Sequence, residues 1–515
     1  MSRRYDTLVI GAGHNGLAAA ALLAKRGRPV LVVERRPVVG GCAAPEEFHP
    51  GFRSAGLHAD ATTVWPGIVP ALALERHGLK LRERRPDVLG LDSGILLRGD
   101  PLEAAREIRS VSPADADRYL EYRRFLHRIR APLRRLLQAA PPELIDPGAG
   151  ELWQLARRAL ALRRLGAQTL TELARVPSLA LRDWLGEWFE SEALQALLAL
   201  PALAGTFAGP RSPGTTSNLL RLEALAAPGP AGGGPALVAA LEAAGRAHGA
   251  QVRTGCGVRR VVVESGRVRG VELDDGERIE ADRVAASCDP KRLLLELLAP
   301  GTLSSRLTDR IRRYRARGTT AHVRLALARP PRFAARPDEP IEFARSGARL
   351  DDLERAFDAI KYRATAAEPI LDVHVPSASL PALAPPGAAV VSVQVHFVPY
   401  DLAAGWSDGE RGRLADHVVA RLERHAPGLA GTVLGREVLV PVDLEERYGL
   451  TGGCALHGEH ALDQLLVRPT AECARYATPL PGLWLCGSGS HPGGGLTCLP
   501  GALAAGAILS ARRGT

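Results

Sequence analysis

Three groups of residues in this chain have the types and spacing to do chemistry. Near the N-terminus, Gly11, Gly13 and Gly16 form a GxGxxG inside VIGAGHNGLAAAALLA. Near the C-terminus, LWLCGSGSHPGGGLTCLPGALAAG runs another apolar strand into a glycine loop and, through Pro500, into an alanine-rich helix. Between them, AHVRLALA carries His322, ILDVHV carries His374, and VVSVQVHFV carries Gln394 and His396, each polar residue alternating with apolar ones. A glycine turn opening a helix offers free N–H groups and the positive end of a dipole to an anion. Imidazoles and amides arrayed on one sheet face can orient a substrate or move a proton.

The elements around the first glycines say which anion. YDTLVIGAGHNGLAAAALLAKRGRPVLVVERR reads as strand, tight turn, helix and parallel strand ending at Glu34. Gly11 permits the turn, Gly13 lets backbone approach a pyrophosphate, and Gly16 lets helix and strand pack closely. Glu34, about 20 residues on, can accept from ribose hydroxyls. A bare glycine turn would explain the glycines but not the strand, the helix and the acid together. The expectation is a dinucleotide site, with His14 and Asn15 inside the turn and Arg35 beside the acid in the same set.

Just downstream, ERRPVVGGCAA places Gly40 and Gly41 a few residues after the acid. This second turn resembles the pattern of the large flavoprotein group that includes amine oxidases and carotenoid desaturases, where the pair passes close to the FAD pyrophosphate. That resemblance implies FAD, a cofactor long enough to need protein at both ends. The C-terminal loop then holds the other half. Gly487 and Ser488 would approach the ribityl-phosphate region, and Leu499, Gly501 and Ala502 would present amides at the positive end of their helix, stabilising negative charge on reduced flavin. The segment from Gly232 to Pro290 reads as helix, strand and a three-stranded meander with turns at Glu264-Ser265-Gly266 and Asp274-Asp275-Gly276. A backbone group near Val258 is expected to face the adenine.

The phrases GAGHNGL, SPGTTSNLL, YGLTGGCALHGEHALDQLL and CGSGSHPGGG together resemble the carotenoid (phytoene) desaturase-related FAD oxidoreductases. The nearest branch is the one named for pyridine nucleotide-disulfide oxidoreductase domain-containing protein 2. The resemblance spans nearly the whole chain. It implies an α/β protein with a Rossmann-type FAD-binding domain like that of amine oxidases and phytoene desaturases, and a discontinuous α+β substrate domain. The expected division is 1–75, 230–305 and 465–515 for FAD, and 76–229 and 306–464 for substrate. The implied reaction removes hydride from a C–H bond of a hydrophobic or conjugated substrate to flavin N5, with oxygen, a quinone or another carrier reoxidising the flavin. The disulfide in the branch name does not suit these residues: Cys42 has no partner before Cys256, and no second GxGxxG follows a strand.

Composition bounds the remainder. At 515 residues two domains are expected. A hydrophobic content of 46% and a charged content of 24% are those of a soluble globular protein. The net charge of +10 comes without any stacking aromatic patch, zinc-finger or helix-turn-helix spacing, so nucleic acid is not expected. Seven scattered cysteines without a CxxC indicate neither a metal site nor a disulfide framework. The chain enters a strand almost at once, and its longest charge-free apolar run, Ala193 to Gly209, is broken by Pro201 and Gly205. The expected location is cytoplasmic; two arginine-rich amphipathic helices, Arg118 to Ala139 and Leu152 to Leu165, either make peripheral contact with an anionic membrane or present a solvated face.

For the substrate half, the alternation places His322, His374, Gln394 and His396 either in the cavity over the flavin or on a solvated face. Cys454, in LTGGCALHGE, stands where monoamine oxidases have a similar Gly-Gly-Cys whose cysteine bonds the flavin; it is either such a thioether or an inert buried thiol. His457 and Glu459 are further candidates for positioning or proton transfer. Competing readings are a flavin amine oxidase, which favours an aromatic cage that 4% aromatic content argues against, a redox-neutral double-bond isomerase, and a non-catalytic flavoprotein interaction module. The oligomeric state is not legible here.

Overall fold

The computed structural model describes residues 4–58, 61–143, 148–164 and 166–511. The strands are β1 (Tyr5–Ile10), β2 (Val30–Val33), β3 (Glu46–His49), β4 (Phe52–Ser54), β5 (Val88–Gly90) and β6 (Leu96–Leu97). The middle of the chain adds β7 (Gln251–Arg253), β8 (Val258–Glu264), β9 (Arg267–Leu273) and β10 (Arg278–Ala286). Then come β11 (Thr320–Leu327), β12 (Phe343–Arg345), β13 (Ile370–His374), β14 (Ala389–His396), β15 (Val433–Leu439) and β16 (Leu483–Leu485).

One sheet runs β7-β2-β1-β10-β9-β8, with β16 on the other side of β10. β10 is shared: Arg278 to Glu280 pair antiparallel with β9, and Ala281 to Ala286 pair parallel with β1. Strands from both ends and the middle of the sequence thus form one parallel layer. Both of its faces are covered, which is why β2 reads as an unbroken VLVV. Val9 and Val32 join a core with the helices His14–Lys25, Gly233–Ala247 and Leu499–Ser510, whereas Leu8, Ile10, Leu31 and Val33 join one on the opposite side with Leu293, Leu307 and Ile311. The meander and both of its tight turns form where the sequence placed them.

The second sheet runs β15-β11-β14-β13-β12-β5-β6. The three alternating strands are adjacent, and register aligns their polar residues into rows: His322, Gln394 and Asp372 in one, Arg324, Ser392 and His374 in the next. Their apolar residues, among them Val323, Leu325, Val391, Val393 and Val373, pack on Leu414, Val418 and Leu422 of the helix Asp408–His425. The polar face is also covered, since every residue of β11 is buried.

A helical layer completes the second half. The helix expected from Arg118 begins a turn earlier, at Pro113, because Ser112 caps it and Pro113 suits its first position. The next runs Ala149–Arg163; Leu165, included in the expected span, lies outside the described residues. Part of the basic face is used internally. Arg123 pairs with Glu223 at 3.3 Å, and Arg134 donates to the carbonyls of Ala224 and Ala226 at the end of the helix Thr216–Leu225. Among the described residues no helix is long and apolar enough to cross a membrane.

Candidate functional site

The N-terminal turn and the glycine pair form one surface. The Gly40 N–H donates to the Ala12 carbonyl at 2.8 Å. A side chain on Gly41 would meet Gly13 Cα at 3.2 Å, whereas one on Gly13 would meet nothing within 4 Å. Gly13 therefore faces open space, as close approach of a ligand requires. Glu34 is 8% exposed; its two oxygens accept from the Ala12 and Arg36 N–H groups at 2.8 and 2.9 Å, each keeping a second lone pair. The Cys256 N–H donates to the Glu34 carbonyl, which brings the start of β8, and so Val258, beside the acid. Arg35 turns the other way and donates to the Arg447 carbonyl at 3.0 Å.

The C-terminal loop reaches the same place. Asn15 Nδ2 donates to Ser488 Oγ at 3.0 Å, a bond between residues 473 positions apart. Gly487 lies against the Ser287 carbonyl, and a side chain on Gly501 would sit 2.0 Å from the Asn15 carbonyl oxygen. The N-termini of the helices His14–Lys25 and Leu499–Ser510 therefore meet nearly backbone to backbone, and two positive dipole ends face one region. The Leu499 N–H, expected to face the cofactor, instead donates to Thr497 Oγ1 at 3.2 Å. The Ala502 N–H bonds the Cys498 carbonyl within the helix. With proline at position 500, Gly501 supplies the remaining first-turn N–H.

Two buried atoms in this cradle, His14 Nε2 and Asn15 Oδ1, have no hydrogen-bond partner. Burial, helped by His58 and His457, pushes the His14 pKa down to about 3, so its ring is a neutral partner at physiological pH. Orphaned polar atoms, an open Gly13 and two converging helix ends fit a pyrophosphate-bridged cofactor with polar ring edges.

Beside the cradle lies a cavity of about 310 Å³, walled by the polar rows of the second sheet and floored by Cys454, Leu456, Gly494 and Gly495. His322, His374 and Gln394 line it; His396 does not, being 2% exposed in the row closer to the end of the sheet. Burial, then Arg324, lowers the His322 pKa to about 3, and burial lowers that of His396 to about 4. His374 Nε2 is 3.4 Å from Glu342 Oε1, its ring stacks on Phe343 at 4.4 Å, and its Nδ1 has no partner. Burial opposes ionisation of Glu342, but the bonds from His374 and Arg82 outweigh it and bring its pKa down to about 2. The Cys454 thiol is pushed up to about 11 by burial and stays protonated. His457 and Glu459 are not in the cavity wall. The Glu459 carboxylate is held by Arg317 through bonds of 2.6 and 3.0 Å, and burial lowers the pKa of His457.

The sequence reading passed over a group behind the glycine floor. Arg221 is 4% exposed; it donates to Asn218 Oδ1 at 3.0 Å and to the Gly494 carbonyl at 3.3 Å, and its Nη2 is 2.8 Å from His460 Nδ1. Arg468, fully buried, bonds Tyr314 and the Gly458 carbonyl and leaves Nη1 unpartnered. Neither guanidinium has a carboxylate within ion-pair distance among the described residues, so buried positive charge collects beneath the loop. Arg221 directly follows SPGTTSNLL, which marks the family resemblance but gives no spacing from which a role could be read.

Residues 16–513 match the family described as flavin containing amine oxidoreductase. The chain belongs to that family. It is 36% identical to pyridine nucleotide-disulfide oxidoreductase domain-containing protein 2 of Rattus norvegicus, over 96% of this chain and 91% of that one. It is 29% identical to hydroxyneurosporene desaturase of Cereibacter sphaeroides, over 98% and 97%. A solved oxidoreductase from Methanosarcina mazei shares the fold, with a TM-score of 0.58 at 18% identity over 98% of this chain and all of that one. The protein is thus an FAD-dependent oxidoreductase with a Rossmann-type cofactor fold.

Proposed function

We propose that the protein is an FAD-dependent desaturase or dehydrogenase acting on a C–H bond of a hydrophobic or conjugated substrate held in the 310 Å³ cavity. The observation that carries this reading is the position of that cavity, between the polar sheet face and the loop that closes the cofactor cradle. In this reading FAD is held by Gly11, Gly13, His14, Asn15, Gly16, Glu34, Gly40, Gly41, Val258, Gly487, Ser488 and Gly501, and the chain divides into cofactor and substrate domains at the boundaries read from sequence. Bound FAD supplies a two-electron acceptor for the C–H bond, with oxygen, a quinone or another carrier as the final acceptor.

The chain's own residues do the rest. Leu197, Leu219 and Leu222 give the cavity apolar surface, so an apolar substrate displaces water from it. His322, neutral and poorly basic, orients rather than deprotonates. His374 differs: its Nε2–H points to Glu342, which leaves Nδ1 as the acceptor for a proton lost from the carbon next to the oxidised one. The buried Arg221 and Arg468 charges favour a cofactor that gains negative charge on reduction. Among the described cavity residues the aromatics are Tyr119 and Phe343, and Phe343 is already stacked on His374, so no aromatic cage supports amine oxidation.

The test is anaerobic addition of conjugated polyenes, terpenes and amines to the yellow holoprotein. Bleaching of the flavin band by a polyene or terpene, with a product two hydrogens lighter, is the expected result. Bleaching by amines alone would replace this reading with amine oxidation, and a colourless protein that cannot be reconstituted with FAD would end it.

A further inference from the structure

A second hollow, of about 670 Å³, lies next to the cavity, and Arg317 and Gly318 belong to the walls of both. Its charge is one-sided. Lys291, Arg312, Arg313, Arg315, Lys361 and Arg363 line it with Arg317, against Asp401 as the lining carboxylate. Five of these cations have acidic partners: Arg363 with Asp401 at 3.0 Å, Lys361 with Asp358 at 2.7 Å, Arg312 with Asp309 at 3.4 Å, Arg315 with Asp463 at 2.6 Å and Glu459 at 3.5 Å, and Arg317 with Glu459 at 2.6 Å. Apart from those to the buried Glu459, these pairs are solvent-exposed and screened, so they yield readily to a ligand. Lys291 and Arg313 form no ion pair among the described residues.

Beside the shared Arg317, Phe207 stands in the wall of the hollow and is backed by a second ring. The Arg317 guanidinium lies 4.1 Å over the Phe207 ring, Phe207 meets Phe357 edge-on at 5.7 Å, and Lys361 Nζ is 4.4 Å from the Phe357 ring. Glu459 anchors Arg317 from behind. A molecule reaching from the hollow to the cavity therefore has cations around one end and, past Phe207, apolar surface and neutral imidazole around the other.

We infer that the basic hollow seats the anionic head, a carboxylate or phosphate, of an amphipathic molecule whose apolar part enters the inner cavity past Phe207. That the apolar part is then oxidised rests on the proposed function; the head-group site does not. Lys291 and Arg313, which line the hollow without an ion pair among the described residues, are the charges left to meet an anion there.

The experiment titrates FAD-loaded protein by calorimetry with dodecyl phosphate below its micellar concentration, with dodecanol and with inorganic phosphate. Dodecyl phosphate is expected to bind at least about 10-fold tighter than dodecanol and to weaken as salt is raised. The double variant Lys291→Glu/Arg313→Glu, both residues lying outside the catalytic machinery, is expected to lose about 10- to 100-fold in dodecyl phosphate affinity with dodecanol unchanged. Lys291→Gln/Arg313→Gln should give a smaller loss in the same direction, and thermal melting checks that both variants are folded. Equal affinity for dodecanol and dodecyl phosphate, or an unaffected double variant, overturns the site. Inorganic phosphate binding as tightly as dodecyl phosphate overturns the head-and-tail arrangement. A positive titration with a flavin that no substrate bleaches overturns the oxidation reading and leaves the head-group site standing.

Discussion

The glycine cradle and the cavity beside it adjoin but are made of different material. In the cradle the working groups are backbone N–H groups, helix ends and space kept open by glycine; in the cavity they are side chains brought together from β11, β14, β13 and the helix Thr216–Leu225. A backbone site fails when geometry is blocked, whatever the replacing residue's chemistry. A side-chain site fails when one functional group is removed and the fold stays intact. The two should therefore break in different ways.

The largest effect is expected from Gly501→Val. Adding a methylene to a packed core typically costs about 1–3 kcal/mol, and here the new atom would meet a carbonyl oxygen 2.0 Å away that cannot rotate aside. The purified variant should carry less than about a tenth of the wild-type flavin, measured by the ratio of visible to ultraviolet absorbance. Near-stoichiometric yellow protein would mean that the two helix ends need not meet.

On the cavity side, His374→Ala should lower kcat by about 100-fold or more on the substrate returned by the anaerobic screen, in the range of general-base loss, while leaving flavin content unchanged. His396→Ala, outside the cavity, should change kcat less than about 3-fold. Equal effects at the two positions would remove the assignment of His374.

Glu342→Gln tests the support behind that ring. The carboxylate's folded pKa of about 2 lies below its ordinary value of 4.5, so its stabilisation is fully present above pH 4.5 and lost as pH falls towards 2. The shift corresponds to about 3 kcal/mol. Wild type should lose that much across this window in acid denaturation, and Glu342→Gln should lose it at neutral pH and show a flatter profile.

The smallest effects concern two residues expected to change little. Because the folded pKa of His322 is about 3, substrate affinity should gain no titration step from this ring between pH 5 and 8, and a step that disappears in His322→Gln would contradict it. Cys454→Ser should leave flavin release on acid precipitation as complete as in wild type, since a buried thiol kept protonated up to about pH 11 is a poor nucleophile. Yellow pellets from wild type alone would establish a thioether instead.

The cradle was largely legible before any fold was known. Gly11, Gly13, Gly16, Glu34 and the Gly40–Gly41 pair lie within about thirty residues, and the strand and helix joining them are local events. The C-terminal loop was legible by its likeness to the first turn, although the direction of the Leu499 amide was not, because Thr497 two residues earlier competes for it. In the cavity, period two showed that His322, His374, Gln394 and His396 share a kind of face, but not which of them a cavity reaches. His457 and Glu459 follow Cys454 closely in sequence, yet neither lines the cavity wall that Cys454 joins, and Arg317 binds the Glu459 carboxylate.

The sequence by itself determined that a dinucleotide turn forms, that a second glycine loop answers it from the far end, and that three strands each carry one polar face. It did so because turn geometry, helix ends and strand alternation depend on residues a few positions apart. Only the tertiary structure decided that β10 joins the two ends in one sheet, that His322, Gln394 and Asp372 align in a row, and that Arg221 meets His460 beneath Gly494. Those contacts join segments from tens to hundreds of residues apart, and they are selected by the burial of two sheets on their helices rather than by any local spacing.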